Sequence, residues 1–388
     1  MMSASLSKIY VSTRFVSEER TDPLEDTLQD KNLVPEEAAV LLAADEQRAI
    51  PSISKNVALM KEIQQRVQAL PSSHRLLLGD SRNLAHIPNE SVHLVVTSPP
   101  YWNLKEYVKN PNQLAEIEDY EQFLQELDLV WQHMWRVLVP GGRLVIVVGD
   151  VCLSRRQYGR HVVFPLHASI QEHCRNLGFD NLAPIIWYKI ANASLEATGN
   201  GTSFLGKPYE PGGVIKNDIE FILMQRKPGG YRSPSLTARV LSVISETLHR
   251  QWFQQIWQDV KGASTRQHPA PFPLEVAERL IRMFSFVGDT VLDPFMGTGT
   301  TSMAAANWGR NSIGVEVEPS YHHLTLERMD KTYGSRLVRD EMVRERHFNA
   351  ACFLMADRNQ ATHRPNYTEP CPDIGAANFL QQLIRHAI

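Results

Sequence analysis

The sequence predicts an α/β protein with a doubly wound, mostly parallel sheet. Apolar runs of strand length alternate with amphipathic helical segments along most of the chain. Several of these runs are apolar at successive positions, which is typical of strands that helices cover on both faces. Late in the chain, a glycine-rich turn at 297–300 joins a strand to a helix, as in nucleotide-binding βαβ units.

The elements fall into two groups separated by a less regular segment at 190–265. In the first group we expect a helix at 56–70, strands at 75–80 and 92–97, a helix at 117–138 and a strand at 143–150. Pro140-Gly141-Gly142 is predicted to end the long helix of this group. In the second group we expect a helix at 273–285, a strand at 290–295, a helix at 301–309 and a strand at 311–318.

The composition excludes several classes of protein. The chain has 388 residues, of which 43% are hydrophobic and 21% charged, so it can bury a large core. Its longest apolar runs are far shorter than the roughly 20 residues of a membrane span, and the first residues contain no apolar signal core, so we expect a cytoplasmic protein without membrane contact. The four cysteines are scattered without C-x-x-C spacing, which predicts neither a zinc site nor a disulfide framework, and no bound metal.

The glycine-rich turn is the strongest signal for a cofactor. Glu316 lies 19 positions after Gly297, near the spacing of the acid that holds ribose hydroxyls in nucleotide-binding units. No lysine follows the glycines, so the turn is not a P-loop. The carboxylate of Asp293 beside the turn would repel a pyrophosphate, but it suits the cationic amino acid end of S-adenosylmethionine. The same residues are also compatible with a tight strand-to-helix turn that binds nothing.

The segment Thr97 to Tyr101, T-S-P-P-Y, follows an apolar strand directly. Alone, it is also compatible with a proline-rich turn. Together with three later segments it resembles the amino-group DNA methyltransferases of the beta arrangement, in which the catalytic half precedes the cofactor half. The four segments are TSPPYWNLKEY, HPAPFPLEVAERLI, VLDPFMGTGTT and GVEVEP, and the similarity extends over about 76–329.

The resemblance implies a Rossmann-like, S-adenosylmethionine-dependent methyltransferase fold, permuted so that the cofactor half comes second. The G-D-S that follows the first strand would contact the adenine of the cofactor, and H-P-A-P-F-P would lie near its methionine end. The expected cofactor-binding residues are Gly79, Asp80, His268, Pro269, Phe272, Asp293, Pro294, Phe295, Gly297, Thr298, Gly299, Thr300 and Glu316.

The T-S-P-P-Y segment is the expected catalytic element, with Ser98, Pro99, Pro100 and Tyr101 as its residues. An exocyclic amine of a base is a poor nucleophile because its lone pair is delocalised into the ring. The prolines fix the backbone, so that the Ser98 oxygen and the Pro99 carbonyl can accept hydrogen bonds from the amine and aim its lone pair at the methyl donor. Tyr101 would stack on a base flipped out of the duplex.

The identity of the first residue of this element predicts the base. In the family, serine there accompanies mainly methylation of cytosine N4, whereas Asp or Asn accompanies mainly adenine N6. We therefore expect N4 methylation of cytosine in double-stranded DNA, with N6 methylation of adenine as the alternative. The resemblance also implies a restriction-modification system, in which a cognate restriction endonuclease would act separately.

Three alternatives to an amino-group DNA methyltransferase remain: two other kinds of methyltransferase and a non-catalytic regulator. A C5-cytosine methyltransferase would attack with a cysteine after a proline, but only seventeen residues follow Cys371, which leaves no room for a target-reading domain. Enzymes that methylate RNA bases or a glutamine amide share the donor site, although their element usually begins with Asn and the cofactor motif comes first. A non-catalytic S-adenosylmethionine- and DNA-binding regulator would be expected to have lost Ser98, Tyr101 or Asp293.

Positive charge is concentrated in the middle of the chain, where residues 136–266 hold sixteen Lys and Arg against nine Asp and Glu. We expect a target-recognition insert at 190–267 within a catalytic domain at 71–334. The flanking segments would be an N-terminal extension at 1–70, partly mobile with a short helix at its end, and a tail at 335–388. The candidate DNA-binding residues are Arg155, Arg156, Lys207, Lys216, Arg226, Lys227, Arg232 and Arg239.

Overall fold

A computed structural model describes residues 27–28, 30–104, 112–153, 158–189, 218–262, 273–333 and 338–342. The first elements are a 3-10 turn at Lys31–Leu33, helices α1 (Glu36–Ala44), α2 (Glu46–Lys55) and α3 (Val57–Gln68), strands β1 (His74–Leu78) and β2 (Val92–Thr97), a 3-10 turn at Leu114–Glu116, helix α4 (Tyr120–Val137) and strand β3 (Leu138–Val148). The middle elements are β4 (Val151–Leu153), β5 (Val162–Phe164), α5 (Leu166–Asn176), β6 (Asp180–Tyr188), β7 (Ile219–Arg226), α6 (Leu236–Leu241), α7 (Glu246–Trp252) and β8 (Ile256–Trp257). The last elements are α8 (Leu274–Phe284), β9 (Thr290–Asp293), α9 (Thr300–Asn307), β10 (Asn311–Glu316), α10 (Pro319–Tyr333) and β11 (Val338–Met342).

Nine of these strands form one sheet in the order β11-β1-β10-β9-β2-β3-β7-β6-β8. The six strands from β11 to β3 are parallel, whereas β7 is antiparallel to both β3 and β6. Strands β4 and β5 form a separate hairpin. The predicted mostly parallel, doubly wound sheet is confirmed, and the parallel strands place all their carboxyl ends at one edge.

Strand β2 shows why the sheet needs helices on both faces. Val95 lies in a core with residues of α4 and α5, whereas its neighbours Leu94 and Val96 lie in a second core with residues of α8 and α9. Successive side chains of a strand point to opposite faces, so both faces of this strand are buried and the run is apolar throughout. Burial of each such side chain contributes roughly 1.5–3 kcal/mol.

Strand β3 begins earlier than the sequence predicts. Pro140, Gly141 and Gly142 do not form a turn after α4 but lie inside β3, which follows the helix directly at Leu138. The Gly141 N–H donates to the Lys227 carbonyl at 2.9 Å, and the Lys227 N–H donates to the Gly142 carbonyl at 2.9 Å. These bonds extend the pairing with the β7 side of the sheet through the glycines. The helix ends before Pro140 as predicted, whereas the strand begins five residues earlier than predicted.

The N-terminal extension contains more regular structure than predicted. From Glu36 to Gln68 it forms three helices, and the side chains of Asp45 and Asn56 cap the second and third by accepting backbone N–H bonds. Buried residues of these helices pack with residues of α6 in a separate apolar core. The single predicted helix at 56–70 is present as α3, and α1 and α2 are additions.

Two further strands, one in the expected tail and one in the expected insert of the catalytic domain, also join the sheet. Strand β11, within the expected tail, pairs with β1 in parallel. Strand β7, within the expected insert at 190–267, lies between β3 and β6. None of the helices in the described ranges is long and apolar enough to cross a membrane.

Candidate active site

A cleft of about 800 Å³ opens at the carboxyl ends of β1, β2, β9 and β10, and we call it the carboxyl-edge cleft. The residues that line it are Asp80, Ser81, Ser98, Pro100, Asn112, Gln113, Leu114, Val130, Pro294, Phe295, Met296, Gly297, Thr298, Thr300, Val315, Glu316, Val317 and Tyr321. It therefore brings together residues from the expected catalytic and cofactor segments, which lie about 200 positions apart in the chain.

The glycine-rich turn lies between β9 and α9, on the floor of this cleft. Gly299 has a φ of +80°, and a Cβ at this position would lie 2.4 Å from the Thr325 Cγ2 atom. Both the left-handed backbone and the close approach therefore require glycine. The turn places Gly297, Thr298 and Thr300 in the lining of the cleft.

Glu316 ends β10 and faces the cleft with only 7% of its surface exposed. Its carboxylate accepts backbone N–H bonds from Gly297 at 2.8 Å and from Glu318 at 2.9 Å. Burial raises the pKa of this carboxyl group to about 7, and these N–H donors oppose the increase. A buried carboxylate with spare acceptor capacity suits a ligand that presents hydroxyl groups.

Asp293 has surroundings different from those that the sequence suggested. It is 1% exposed and is not among the residues that line the cleft. One carboxylate oxygen accepts from the Thr97 hydroxyl at 2.7 Å and from the Phe295 N–H at 3.0 Å, and the other accepts from the Thr301 hydroxyl at 2.7 Å. Burial raises the pKa of Asp293 to about 6. The described contacts connect β2, β9 and α9, and a bond to a cofactor's amino group stays a prediction.

The expected catalytic element follows β2 and enters the cleft through Ser98 and Pro100. Ser98 is partly exposed, whereas Tyr101 is 9% exposed and packs against Gly149 at the end of β3. The hydroxyl oxygens of Ser98 and Tyr101 lie 3.5 Å apart, at the outer limit of a hydrogen bond. The predicted stacking of a base on Tyr101 requires this ring face to become accessible.

Trp102 anchors the element, a role that the sequence did not reveal. Its φ of +47° is in the left-handed region, which non-glycine residues occupy at a cost of order 1–3 kcal/mol. The indole N–H donates to the Ile117 carbonyl at 2.9 Å, and the ring packs edge-on against Tyr120 and Phe164. These contacts hold the strained turn, and so fix the position of Ser98 four residues earlier.

At the other end of the cleft, Asp80 follows β1 and pairs with Arg82, which also binds Glu126 at 2.5 Å. Gly79 does not line the cleft, but its N–H donates to the Glu316 carbonyl at 2.8 Å and so fixes β1 beside β10. Among the residues that sequence reasoning missed, Ser81 donates a short hydrogen bond to the Pro294 carbonyl. This bond joins the turn after β1 to the turn after β9.

The remaining predicted residues fall into two groups. His268, Pro269, Phe272, Arg155, Arg156, Lys207 and Lys216 lie outside the described residues. Pro99 is buried beside Ser98 without lining the cleft. In the part of the chain that the structure describes, no group of three or more His, Cys, Asp or Glu side chains could hold a metal ion.

The four described DNA-binding candidates lie at the opposite edge of the sheet. Arg226 pairs with Arg143, which itself pairs with Leu94, so it lies roughly 13 Å along the strand direction from Ser98. The Lys227 ammonium is buried and binds Glu90 and the Leu138 carbonyl. The other two are Arg232, which binds Asp289 through both terminal nitrogens, and Arg239, which is exposed on α6. At this distance from Ser98, Arg226 cannot contact a base bound there.

Comparison with known proteins places these features in a family. Residues 92–327 match the N6/N4 family model, described as DNA methylase. The chain is 38% identical over 291 residues to the type II methyltransferase M.MjaI of Methanocaldococcus jannaschii, covering 67% of this chain and 92% of that protein. It is 32% identical over 320 residues to the type II methyltransferase M.MthZI of Methanothermobacter thermautotrophicus, covering 77% and 87%.

A solved structure agrees with the sequence relatives. The putative DNA modification methylase TTHA0409 of Thermus thermophilus, crystallised in complex with S-adenosyl-L-methionine, superposes with a TM-score of 0.56. Its sequence is 55% identical, and the superposition covers 69% of this chain and 99% of that one. The matched family region contains the catalytic element, the glycine-rich turn and Glu316. This chain belongs to the N6/N4 family of DNA methylases.

Proposed function

We propose that this protein transfers a methyl group from S-adenosylmethionine to the exocyclic N4 of a cytosine flipped out of double-stranded DNA. The observation that carries the proposal is the carboxyl-edge cleft, where Ser98 and Pro100 share one cavity with Gly297, Thr298 and Glu316. A donor bound at the glycine-rich turn and an amine bound at Ser98 would then be neighbours. Methyl transfer requires this proximity.

The donor would lie between the turns that follow β1 and β9. Glu316 would accept hydrogen bonds from the ribose hydroxyls, and Asp80, which also lines the cleft, would contact the adenine, as the family resemblance implies. Phe295 and Pro294 add apolar surface on the same wall. The cofactor would supply an electrophilic methyl group on a sulfonium, and the chain's own groups would orient it.

The acceptor amine would bind at Ser98. Its hydroxyl oxygen and the Pro99 carbonyl would accept the two N–H bonds, which draws the nitrogen lone pair out of the ring plane and towards the methyl group. The new N–C bond forms as the S–C bond breaks, and the amine then loses a proton to water or a nearby acceptor. Neither a covalent enzyme intermediate nor a metal ion is needed in this sequence of events.

Ser98 at the first position of the element favours cytosine N4, with adenine N6 as the second candidate. Incubation of the protein with S-adenosylmethionine and mixed-sequence DNA, followed by mass spectrometry of the nucleosides, distinguishes the two. N4-methylcytosine is expected. N6-methyladenine would refute the base assignment alone, whereas the absence of both from DNA that carries every short site would refute the enzymatic function and favour the non-catalytic regulator.

The names of the relatives motivate a further part of the proposal. M.MjaI and M.MthZI are type II methyltransferases, a class whose members protect DNA in restriction-modification systems. A cognate restriction endonuclease would then recognise the same sequence as a separate protein. Sequencing of methylated DNA would define the site, and protection of that site from cleavage in a cell extract would test the pairing.

A further inference from the structure

A second large concavity lies at the amino edge of the sheet, on the side opposite the carboxyl-edge cleft. It encloses about 2,350 Å³ of open space, and we call it the amino-edge groove. Its walls come from α2, α6 and α7, the beginning of β3, the end of β7 and the residues at the end of α8. The proposed methyl transfer uses none of these residues.

The groove is strongly basic although the whole chain has a formal net charge of −3. Among the described residues, one carboxylate lines it, that of Glu246, which pairs with Arg250. Two further carboxylates outside the lining, those of Asp180 and Asp289, pair with Arg226 and Arg232. The seven Lys and Arg side chains in its walls are Lys55, Arg143, Arg226, Arg232, Arg239, Arg250 and Arg282. Six of the seven are arginines, whose planar donors match the oxygens of phosphate groups.

Two of these cations make no ion pair within the described ranges, although Glu278 acts on Arg282 electrostatically. Arg143 makes no ion pair there; its Nε is buried without a hydrogen-bond partner, and its guanidinium lies 4.8 Å from the centre of the Phe284 ring. Arg282 also lacks an ion pair there and lies 3.6 Å over the Trp308 ring. Burial lowers the pKa of Arg143, with a smaller contribution from Arg226, and burial lowers that of Arg282 to about 10. Partly desolvated cations without ion pairs favour the binding of an anion.

We propose that the amino-edge groove binds the phosphate backbone of DNA as a contact separate from the catalytic cleft. The inference rests on the DNA substrate of the proposed function. A duplex backbone presents a row of negative charges that can follow a groove lined by several cations. Since the groove and Ser98 are at opposite edges of the sheet, the segment in the groove is not the one whose base is methylated. On long DNA the groove would hold a second segment.

The test compares two double variants that each remove one exposed lysine and one exposed arginine. Lys55→Gln/Arg250→Gln removes them from the groove, and Arg175→Gln/Lys331→Gln removes them from surfaces outside it. Binding to a long duplex without the methylation site is measured at several salt concentrations. The groove variant should lower the log-log salt slope by up to about 2, at about 0.9 for each phosphate that is no longer neutralised, and the control should leave the slope unchanged.

A variant that should strengthen DNA binding separates the proposal from misfolding, since a misfolded protein would bind DNA more weakly. Glu246→Gln removes the groove's one lining carboxylate, so it should tighten binding of long DNA and steepen its salt dependence. Methylation of a short duplex that fills only the catalytic cleft should be unchanged in all these variants. If the wild type fails to methylate that duplex, the proposed function fails, whereas the groove is judged by DNA binding alone.

Two outcomes would overturn the proposal. One is an equal reduction of the salt slope in the groove variant and in the control variant. The other would be seen with millimolar pyrophosphate. It would raise the melting temperature of the wild type but not that of Lys55→Gln/Arg250→Gln, while both proteins bind long DNA equally well. That second result would identify the groove as a site for a small phosphorylated anion.

Discussion

Burial of Glu316 makes donor binding dependent on pH. Without ligand, its raised pKa of about 7 leaves the carboxyl group half protonated at neutral pH. Ribose hydroxyls donate to the carboxylate form, so bound S-adenosylmethionine should lower this pKa towards its ordinary value of 4.5. Affinity is therefore highest above the raised pKa and falls as the pH falls through it.

The magnitude follows from the two pKa values. If the pKa falls from about 7 to about 4.5 on binding, the dissociation constant should rise about 30-fold between pH 8 and pH 5.5, equivalent to about 2 kcal/mol. At pH 7 binding should release about half a proton. A smaller fall in pKa would reduce the change in the dissociation constant.

Calorimetry measures both quantities. Titration of S-adenosylmethionine in buffers with different heats of ionisation gives the protons released, and repetition across pH 5.5–8 gives the affinity profile. Glu316→Gln should bind more weakly at pH 8 and lose most of the pH dependence, whereas Glu327→Gln, which removes an exposed glutamate of α10, should retain it. A flat profile in the wild type, or an equally steep one in Glu316→Gln, would refute the role of this carboxyl group.

Three other predictions concern the same cleft. Ser98→Ala should lower kcat by about 100-fold or more while leaving the dissociation constant of S-adenosylmethionine nearly unchanged, and near-normal turnover would remove Ser98 from the mechanism. The double variant Thr97→Val/Thr301→Val should lower kcat more than it changes donor affinity, and Thr97→Ser/Thr301→Ser, which keeps both hydroxyls, should restore kcat. If kcat falls equally in the two double variants, the defect is purely structural. Gly299→Ala should lower the free energy of unfolding by more than about 2 kcal/mol, because a methyl group would clash with Thr325, whereas Gly159→Ala, which has a similar φ and open space, should cost only about 1–2 kcal/mol.

The parts of the fold that could be predicted are those that depend on local pattern. Strands β2 and β9 and helices α4 and α8 appear within a few residues of their predicted positions, since both faces of the strands are buried and each helix has one apolar face. Helices α1 and α2 escaped prediction: α2 contains Pro51, and α1 has apolar residues without a regular stripe. Strand β11 is five residues long and lies at the edge of the sheet.

The candidate site was predictable where a motif has a local mechanism. The glycine-rich turn and Glu316 line the cleft as expected, because the turn's geometry and the spacing of one βαβ unit place them there. The surroundings of Asp293 were not predictable. Its hydroxyl partner Thr97 is 196 positions away in the chain, and no pattern in the sequence connects the two. The amino-edge groove likewise gathers cations from separate elements that meet only in the folded sheet.

Asp293 explains how a chain with separate catalytic and cofactor halves keeps them in register. Strands β2 and β9 form the junction between the halves, but their pairing involves only Leu94 with Val291 and Val95 with Leu292, and so ends before Ser98. Beyond that point the bonds from Thr97 and Thr301 to Asp293 continue the connection, and the Thr301 hydroxyl also lies 3.3 Å from the Val96 carbonyl. Because Thr97 directly precedes Ser98 and Asp293 ends the strand that leads to the glycine-rich turn, a shift of either half would strain this buried cluster. The carboxylate that the sequence suggests for binding the donor therefore connects the two strand ends that lead to the catalytic element and to the glycine-rich turn.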